Sequence, residues 1–283
     1  MRQLDKPTAK VVDIIALLKS EASRESDRQD MDEAAPTLTA RETIYDQKIA
    51  DNTAFEIQRD QTISARVGKP KMVSYYKYRM LEKPFGRDYY NLLMASAPND
   101  TCPYCTIKEV KTIDHFLPKS EYPSYAITPS NLVPSCTDCN LDKKISYPTG
   151  ADDQTFHPYF DKVDDECWIK AELIPGEPLS FQFNVIHIAG WSNNKFTRAT
   201  SHFNSYNINQ LFSNGANREL RGMQHFLKDL FLKDRNSFKS HLEETYNSCQ
   251  NGLGIIDWKT LMYQELSTNE WFFDGCQGST YFI

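Results

Sequence analysis

The residues best equipped for chemistry are four cysteines in two pairs, Cys102-Pro-Tyr-Cys105 and Cys136-Thr-Asp-Cys139, with thirty residues between them. Thiolates at Cys-x-x-Cys spacing converge on one cation, and two such pairs make a tetrahedral four-cysteine zinc site. A site of that closed type contributes folding energy and leaves no position open for substrate. A disulfide pairing is the blander alternative for the same residues. Cys167, Cys249 and Cys276 stand singly and read as small apolar core residues.

The stretch between and just after the pairs carries a second set of reactive types. It contains Thr112-Ile113-Asp114-His115-Phe116-Leu117-Pro118-Lys119, then Pro129-Ser130-Asn131-Leu132-Val133-Pro134, then Cys139-Asn140-Leu141-Asp142-Lys143-Lys144. An imidazole with a near-neutral pKa takes a proton from water at physiological pH. A zinc staple alone requires only the cysteines, so the added His, Asp and Asn ask for a reaction. Taken singly, His115 reads as a structural histidine and the asparagines as turn or cap residues.

In the order Cys pair, Asp-His, Asn, Cys pair and Asn-x-x-Lys, residues 102–144 resemble the HNH endonuclease motif of the ββα-metal fold in its form with a four-cysteine zinc. The resemblance implies a phosphodiesterase in which His115 is the general base and Asp114 a ligand of the catalytic Mg2+ or Mn2+. Asn131 would tie the ββ loop and hold the base in orientation. Asn140 stands where the family's last His usually is, giving a His-Asn-Asn set with Asn140 as the second metal ligand, and Lys143 or Lys144 would touch a phosphate. The implied products are a 5′-phosphate and a 3′-hydroxyl, and the implied substrate is double-stranded DNA. Neighbouring strand residues point to opposite faces, so Asp114 and His115 can flank one phosphate only if the strand bends. More loosely, the chain is similar to HNH proteins that act beside an ATPase in anti-phage systems such as Septu, which implies a defence effector.

Two further segments bear on the same chemistry. Phe156-His157-Pro158-Tyr159 follows closely enough for His157 to return to the catalytic metal, although a surface imidazole fixed by the next proline is the blander account. Arg66–Arg87 interleaves Lys69, Lys71 and Lys77 with tyrosines, as an arm tracking a phosphate backbone would. An amphipathic segment with core tyrosines and solvated lysines has the same composition.

The elements that must position these residues follow from periodicity. Apolar residues at helical spacing mark a helix within residues 7–22, another from Ala40 to about Asp60, and a third opening at Phe85-Gly86-Arg87 and running to Met94. Ser20–Thr39 is polar and charged and reads as a mobile linker. Cys167–Ala171 and Leu179–Ile188 predict an antiparallel hairpin, and from about Thr197 onward the pattern is helical. The expected fold is α+β and mostly helical, with the zinc-bearing ββα-metal module embedded between helical segments. The expected divisions are an N-terminal helical and linker region (1–60), a basic aromatic segment (61–100), the nuclease module (101–160), and a hairpin with C-terminal helices (161–283).

Composition limits the rest. The 283 residues are 40% hydrophobic and 25% charged, ordinary for a globular protein, and no apolar run approaches a membrane span. Val11–Leu18 is interrupted by Asp13 and does not read as a signal peptide, so a cytoplasmic protein is expected. The net charge of −6 is unfavourable for a nucleic-acid enzyme, but it is segregated: residues 59–90 carry eight basic and three acidic side chains, residues 1–58 eight basic and twelve acidic. That acidic N-terminal region and the aromatic tail Trp271, Phe272, Phe273, Tyr281 and Phe282 are candidate docking surfaces for a partner ATPase or a second copy of the chain. The competing reading of the whole is a non-catalytic zinc-stapled module that binds nucleic acid or protein.

Overall fold

The computed structural model describes residues 1–143 and 145–282 and divides into two compact units, Met1–Lys162 and the chain from Val163 onward. The fold class is α+β: helices predominate, with two separate two-stranded antiparallel sheets among the described residues.

In the first unit, α1 (Val11–Ser20) buries Val11, Ile14, Ile15 and Leu18 on one stripe. It packs against α2 (Glu25–Ala50), which runs through the segment expected to be a mobile linker. The apolar stripe of α2 is narrow, with Met31, Ala34 and Leu38 in its first half, and two carboxylates occupy its buried face. Asp30 is held by Arg66, 2.7 Å away, and by the Lys71 ammonium. Glu42 accepts the backbone N–H of Val11 at 3.0 and 3.1 Å, at the positive end of α1. Desolvation at that position raises the Glu42 carboxyl pKa despite the hydrogen bond. Buried polar residues with long-range partners made this segment look solvated.

The basic aromatic region forms α3 (Lys69–Ser74) and a π-helical turn (Tyr75–Met80), followed by α4 (Pro84–Met94). The carboxylate of Glu21 accepts from Phe85 N–H at 3.1 Å and Gly86 N–H at 3.4 Å, in the first turn of α4. Gly86 is required there because a Cβ would lie 2.2 Å from the Arg79 carbonyl oxygen. Tyr75, Tyr76, Met80, Tyr89, Tyr90 and Leu93 join the stripes of α1 and α2 in one core. Ile113, Ala126, Ile127 and Leu132 belong to the same core, so the helices grip the chemistry-bearing segment directly. That segment is β1 (Thr112–His115) paired with β2 (Leu132–Ser135), Asp114 opposite Val133 and His115 opposite Leu132, followed by α5 (Thr137–Lys143).

In the second unit, β3 (Ile169–Ile174) and β4 (Ser180–Val185) form the expected hairpin, burying Ile169, Ala171, Leu173, Phe181 and Phe183 in alternation. Helices α6 (Asn193–Ser205), α7 (Ile208–Lys233), α8 (Arg235–Leu253), α9 (Trp258–Thr268) and α10 (Glu270–Phe273) follow. Three outward N–H groups of the ribbon are covered by side chains. Asn209 and Asn217 of α7 accept from Phe183 and Phe181 at 2.9 and 2.7 Å, and Glu265 of α9 accepts from Leu173 at 3.4 Å. The aromatic tail expected as a docking surface is largely interior. Phe272, Tyr281 and Phe282 are buried, and Phe282 stacks on Phe231 at 4.4 Å. No described helix is long and apolar enough to cross a membrane.

Candidate active site

The four cysteines come together at the root of the module. A turn at residues 102–105 is closed by Thr106 N–H donating to the Cys102 carbonyl at 2.8 Å, and Cys136 and Cys139 stand at the start of α5. All four sulfurs are buried and free of disulfides, and they lie within 4.8 Å of one another. Cys105 and Cys136 are 4.0 Å apart, close to the ~3.8 Å that tetrahedral Zn–S bonds impose. Hydrogen bonds from Cys102, Cys105 and Cys136 push the Cys139 thiol far up. One divalent cation would relieve that crowding of four sulfurs, and the donor set fits a metal such as zinc. Among the described residues this is the one group of three or more His, Cys, Asp or Glu placed to share an ion.

From that root β1 carries Asp114 and His115 to opposite faces. His115 is almost fully buried, with Nε2 3.0 Å from the Ala126 carbonyl oxygen. A carbonyl only accepts, so Nε2 carries the proton and Nδ1 holds the lone pair. Nδ1 faces the ammonium of Lys119 at 3.4 Å, and the ring packs edge-on to Tyr76. Burial first, and then the Lys119 charge, hold the imidazole pKa well below its ordinary value. The result is a buried histidine of fixed tautomer whose Nδ1 edge faces the Lys119 ammonium.

Asn131 is fully buried and braces the loop between the strands. Its Oδ1 accepts Leu117 N–H at 2.7 Å, its Nδ2 donates to the carbonyls of Leu117 and Tyr125 at 3.0 Å each, and its own carbonyl accepts Phe116 N–H at 2.9 Å. This crosslink bends the chain immediately after His115.

On the other face, Asp114 meets Lys143 of α5. The ammonium lies 3.1 and 2.9 Å from the two carboxylate oxygens and donates to the His115 carbonyl at 2.5 Å, and Tyr104 O–H donates to Asp114 at 3.1 Å. Lys143, expected at the surface to meet a phosphate, is instead buried because Asp114 demands a cation there. Asn140 lies one turn earlier on the same helix, its Nδ2 3.5 Å from Thr112 Oγ1. Thr112 and Asp114 share a strand face, so Asn140 and Asp114 bring oxygen donors to one side of the module, at a place that already accommodates positive charge. Oxygen donors of this kind are those a hard divalent ion takes, but both Asp114 oxygens are engaged here by the Lys143 ammonium.

The remaining candidates separate. His157 is fully buried, with Tyr159 N–H donating to Nδ1 at 3.1 Å and Nε2 3.1 Å from the Tyr45 hydroxyl, and its ring lies against Phe116 at 4.2 Å. Those bonds engage both ring nitrogens with protein groups, which accounts for its burial without an ion. Lys71 is tied to Asp30, whereas Lys77 is exposed and lies close enough to Lys119 to repel it. Lys69 is half-buried at the start of α3, and Lys144 lies outside the described residues. Sequence reasoning missed Lys119, Tyr76 and Tyr104. Lys119 stands four residues beyond His115 in a turn, a spacing that signals contact only on a helix. Tyr76 comes from a different segment of the chain altogether.

Residues 102–145 match the family model described as HNH endonuclease. Protein ea31 of Escherichia phage lambda is 31% identical over 271 residues, covering 85% of this chain and 88% of that protein. Septu protein PtuB of Bacillus thuringiensis is 34% identical over 64 residues, 21% of this chain and 25% of that protein. No solved structure matches.

Proposed function

We propose that this chain, which belongs to the family of the phage lambda protein ea31, is a metal-dependent nuclease that hydrolyses phosphodiester bonds of DNA through its HNH domain. The observation that carries the reading is the placement of His115: its Nε2–H is fixed on the Ala126 carbonyl, and its Nδ1 lone pair is turned to the Lys119 ammonium. An imidazole so prepared takes a proton from water without first losing one of its own. The loop crosslinked by Asn131 fixes the ring, so the lone pair need not be reorganised when the reaction occurs.

In the proposed reaction, water loses its proton to His115 Nδ1 as its oxygen attacks phosphorus from the side opposite O3′. The new P–O bond forms as the P–O3′ bond breaks, leaving a 5′-phosphate and a 3′-hydroxyl that collects its proton from solvent. With Lys143 displaced from the Asp114 carboxylate, Asp114 and Asn140 would hold Mg2+ or Mn2+, which would supply charge stabilisation for the phosphate and the departing oxygen. The four cysteines would hold zinc as a brace that keeps α5 against the ribbon, without taking part in the reaction. Asn131 positions the base and touches no substrate. The likeness to a Septu protein supports a cytoplasmic effector in the conflict between bacteria and phage, with a partner ATPase or a second copy as its regulator. The solvent side of α2, with exposed Glu25, Asp32 and Glu33, offers such a partner an acidic surface.

The test is cleavage of supercoiled duplex DNA with Mg2+ or Mn2+ by wild type and His115→Ala. A loss of about 10²–10⁴-fold in rate is expected on removing a general base. Retained cleavage in the variant removes His115 from the mechanism. Binding of DNA by the wild type, without cleavage at any divalent ion concentration, would point to a non-catalytic zinc module.

A further inference from the structure

Lys119 is not among the residues that the HNH resemblance accounts for, and its surroundings are unusual for a lysine. Its ammonium is half-buried, 3.4 Å from the lone pair of His115 Nδ1 and 4.9 Å above the ring of Tyr76. Among the described residues no carboxylate lies within ion-pair distance of it. Asp114 attracts it from farther away, while Lys77 and Lys143 repel it. A cation taken partly out of water beside two other ammonium groups costs free energy unless an anion arrives. The aromatic face compensates only partly, at about 0.5–2 kcal/mol. The same ammonium covers the one atom of His115 able to accept a proton.

Resting on the nuclease reading, we propose that Lys119 is a further catalytic residue, a phosphate ligand that leaves the base to bind the scissile group. A non-bridging phosphate oxygen offers Lys119 the anion it lacks, and its long side chain needs only a rotamer change to reach from Nδ1 to a phosphate beside it. That movement uncovers Nδ1 where the attacking water must stand. Lys119 remains protonated through the step and donates to the non-bridging oxygen while His115 takes the water proton, so substrate arrival and activation of the base become one event. The ring of Tyr76 lies beneath the ammonium, and exposed Lys77 adds positive charge near it. The ligand class is therefore a phosphodiester flanked by further phosphates, rather than a free nucleotide.

Two measurements test this. In the first, single-turnover cleavage and duplex affinity are compared for wild type, Lys119→Met and Lys119→Arg, each verified by thermal melting. Lys119→Met is expected to lose about 100-fold in rate, as for removal of one donor to a transition-state oxygen, with duplex affinity within about threefold, since one phosphate contact among many along a duplex changes affinity little. Lys119→Arg should recover at least about tenfold of that loss, because it keeps the charge. A Met variant cleaving within threefold of wild type, or a rate loss matched by an equal loss of affinity, overturns the proposal while leaving the nuclease reading intact. The second needs no cleavage: without added divalent ion, a short DNA duplex is titrated into protein labelled with ¹⁵N in its histidine side chains. The His115 Nδ1 resonance should move in wild type and stay unmoved in Lys119→Met. An unmoved wild-type resonance at saturating duplex overturns the proposal even if the protein never cleaves, whereas a moving resonance without cleavage sinks only the nuclease reading.

Discussion

The two units hold themselves together by different means. From Val163 onward the structure is an apolar design: alternate residues of β3 and β4 are buried, and Phe231, Phe238, Phe272 and Phe282 interlock as an aromatic cluster. Within Met1–Lys162 the nuclease module is only some forty residues long, with four-residue strands and a seven-residue helix. Such a segment has too little apolar surface to fold by burial alone. It leans on the helical core through Ile113, Ala126, Ile127 and Leu132 and is pinned by Asn131 bonded to Leu117 and Tyr125 and by Lys143 bonded to Asp114 and the His115 carbonyl, with four cysteines placed to share an ion. Oily burial tolerates substitution by similar volume, whereas polar pinning fixes atoms to fractions of an ångström and fails all at once when a partner is lost. A site that must place a lone pair benefits from the second kind of construction.

The largest expected effect strikes only one side of that contrast. Removing the ion with a strong chelator, or substituting Cys136→Ser, should unfold the module, since structural zinc is worth about 10–16 kcal/mol in small domains. In a calorimetric scan the transition belonging to residues 1–162 should collapse, while that of the second unit persists. Two unmoved transitions would show that the sulfurs bind nothing of structural weight. Next, Phe183→Ala should cost about 3–5 kcal/mol by transfer and cavity terms and spare cleavage. Lost cleavage at retained folding would break the separation between the units.

Lys143→Met is the more discriminating change because it leaves Asp114 as a buried carboxylate without its ammonium. Breaking such a pair costs about 3–5 kcal/mol, and Mn2+ should restore part of it by taking the vacated charge position. A denaturation midpoint that ignores Mn2+ in this variant would argue that no cation competes with Lys143 for Asp114. The smallest effect is expected for Gly86→Ala, whose Cβ would meet the Arg79 carbonyl and force α4 away from the π turn. A loss of about 1–3 kcal/mol follows from overpacking. The same shift should slow cleavage modestly, because Tyr76 leaves the same turn to pack on His115.

What could be read from residue order tracks these two kinds of construction. The cysteine pairs, the hairpin and the helices of the second unit follow from spacing and periodicity, which are local properties of the chain. The second half of α2 lies within the helix expected from Ala40, but its first half is masked because Asp30 occupies the core face, and its partners Arg66 and Lys71 lie more than thirty residues away. Lys143 looked like a solvated phosphate contact because nothing near it in sequence reveals Asp114 across the module. His157 was hard to place for a related reason: its partner Tyr45 lies 112 residues earlier. Local pattern marks where an element is, and charge compensation across the fold decides what a polar residue does there.

The carboxamides of Asn209 and Asn217 and the carboxylate of Glu265 have a consequence beyond their own unit. A two-stranded ribbon normally offers free amides to any extended peptide that drifts past, and that is how strand addition and fibril growth begin. Here Phe181, Phe183 and Leu173 have already spent those donors on helix side chains. Strand addition at those three positions of the β3–β4 ribbon is therefore disfavoured.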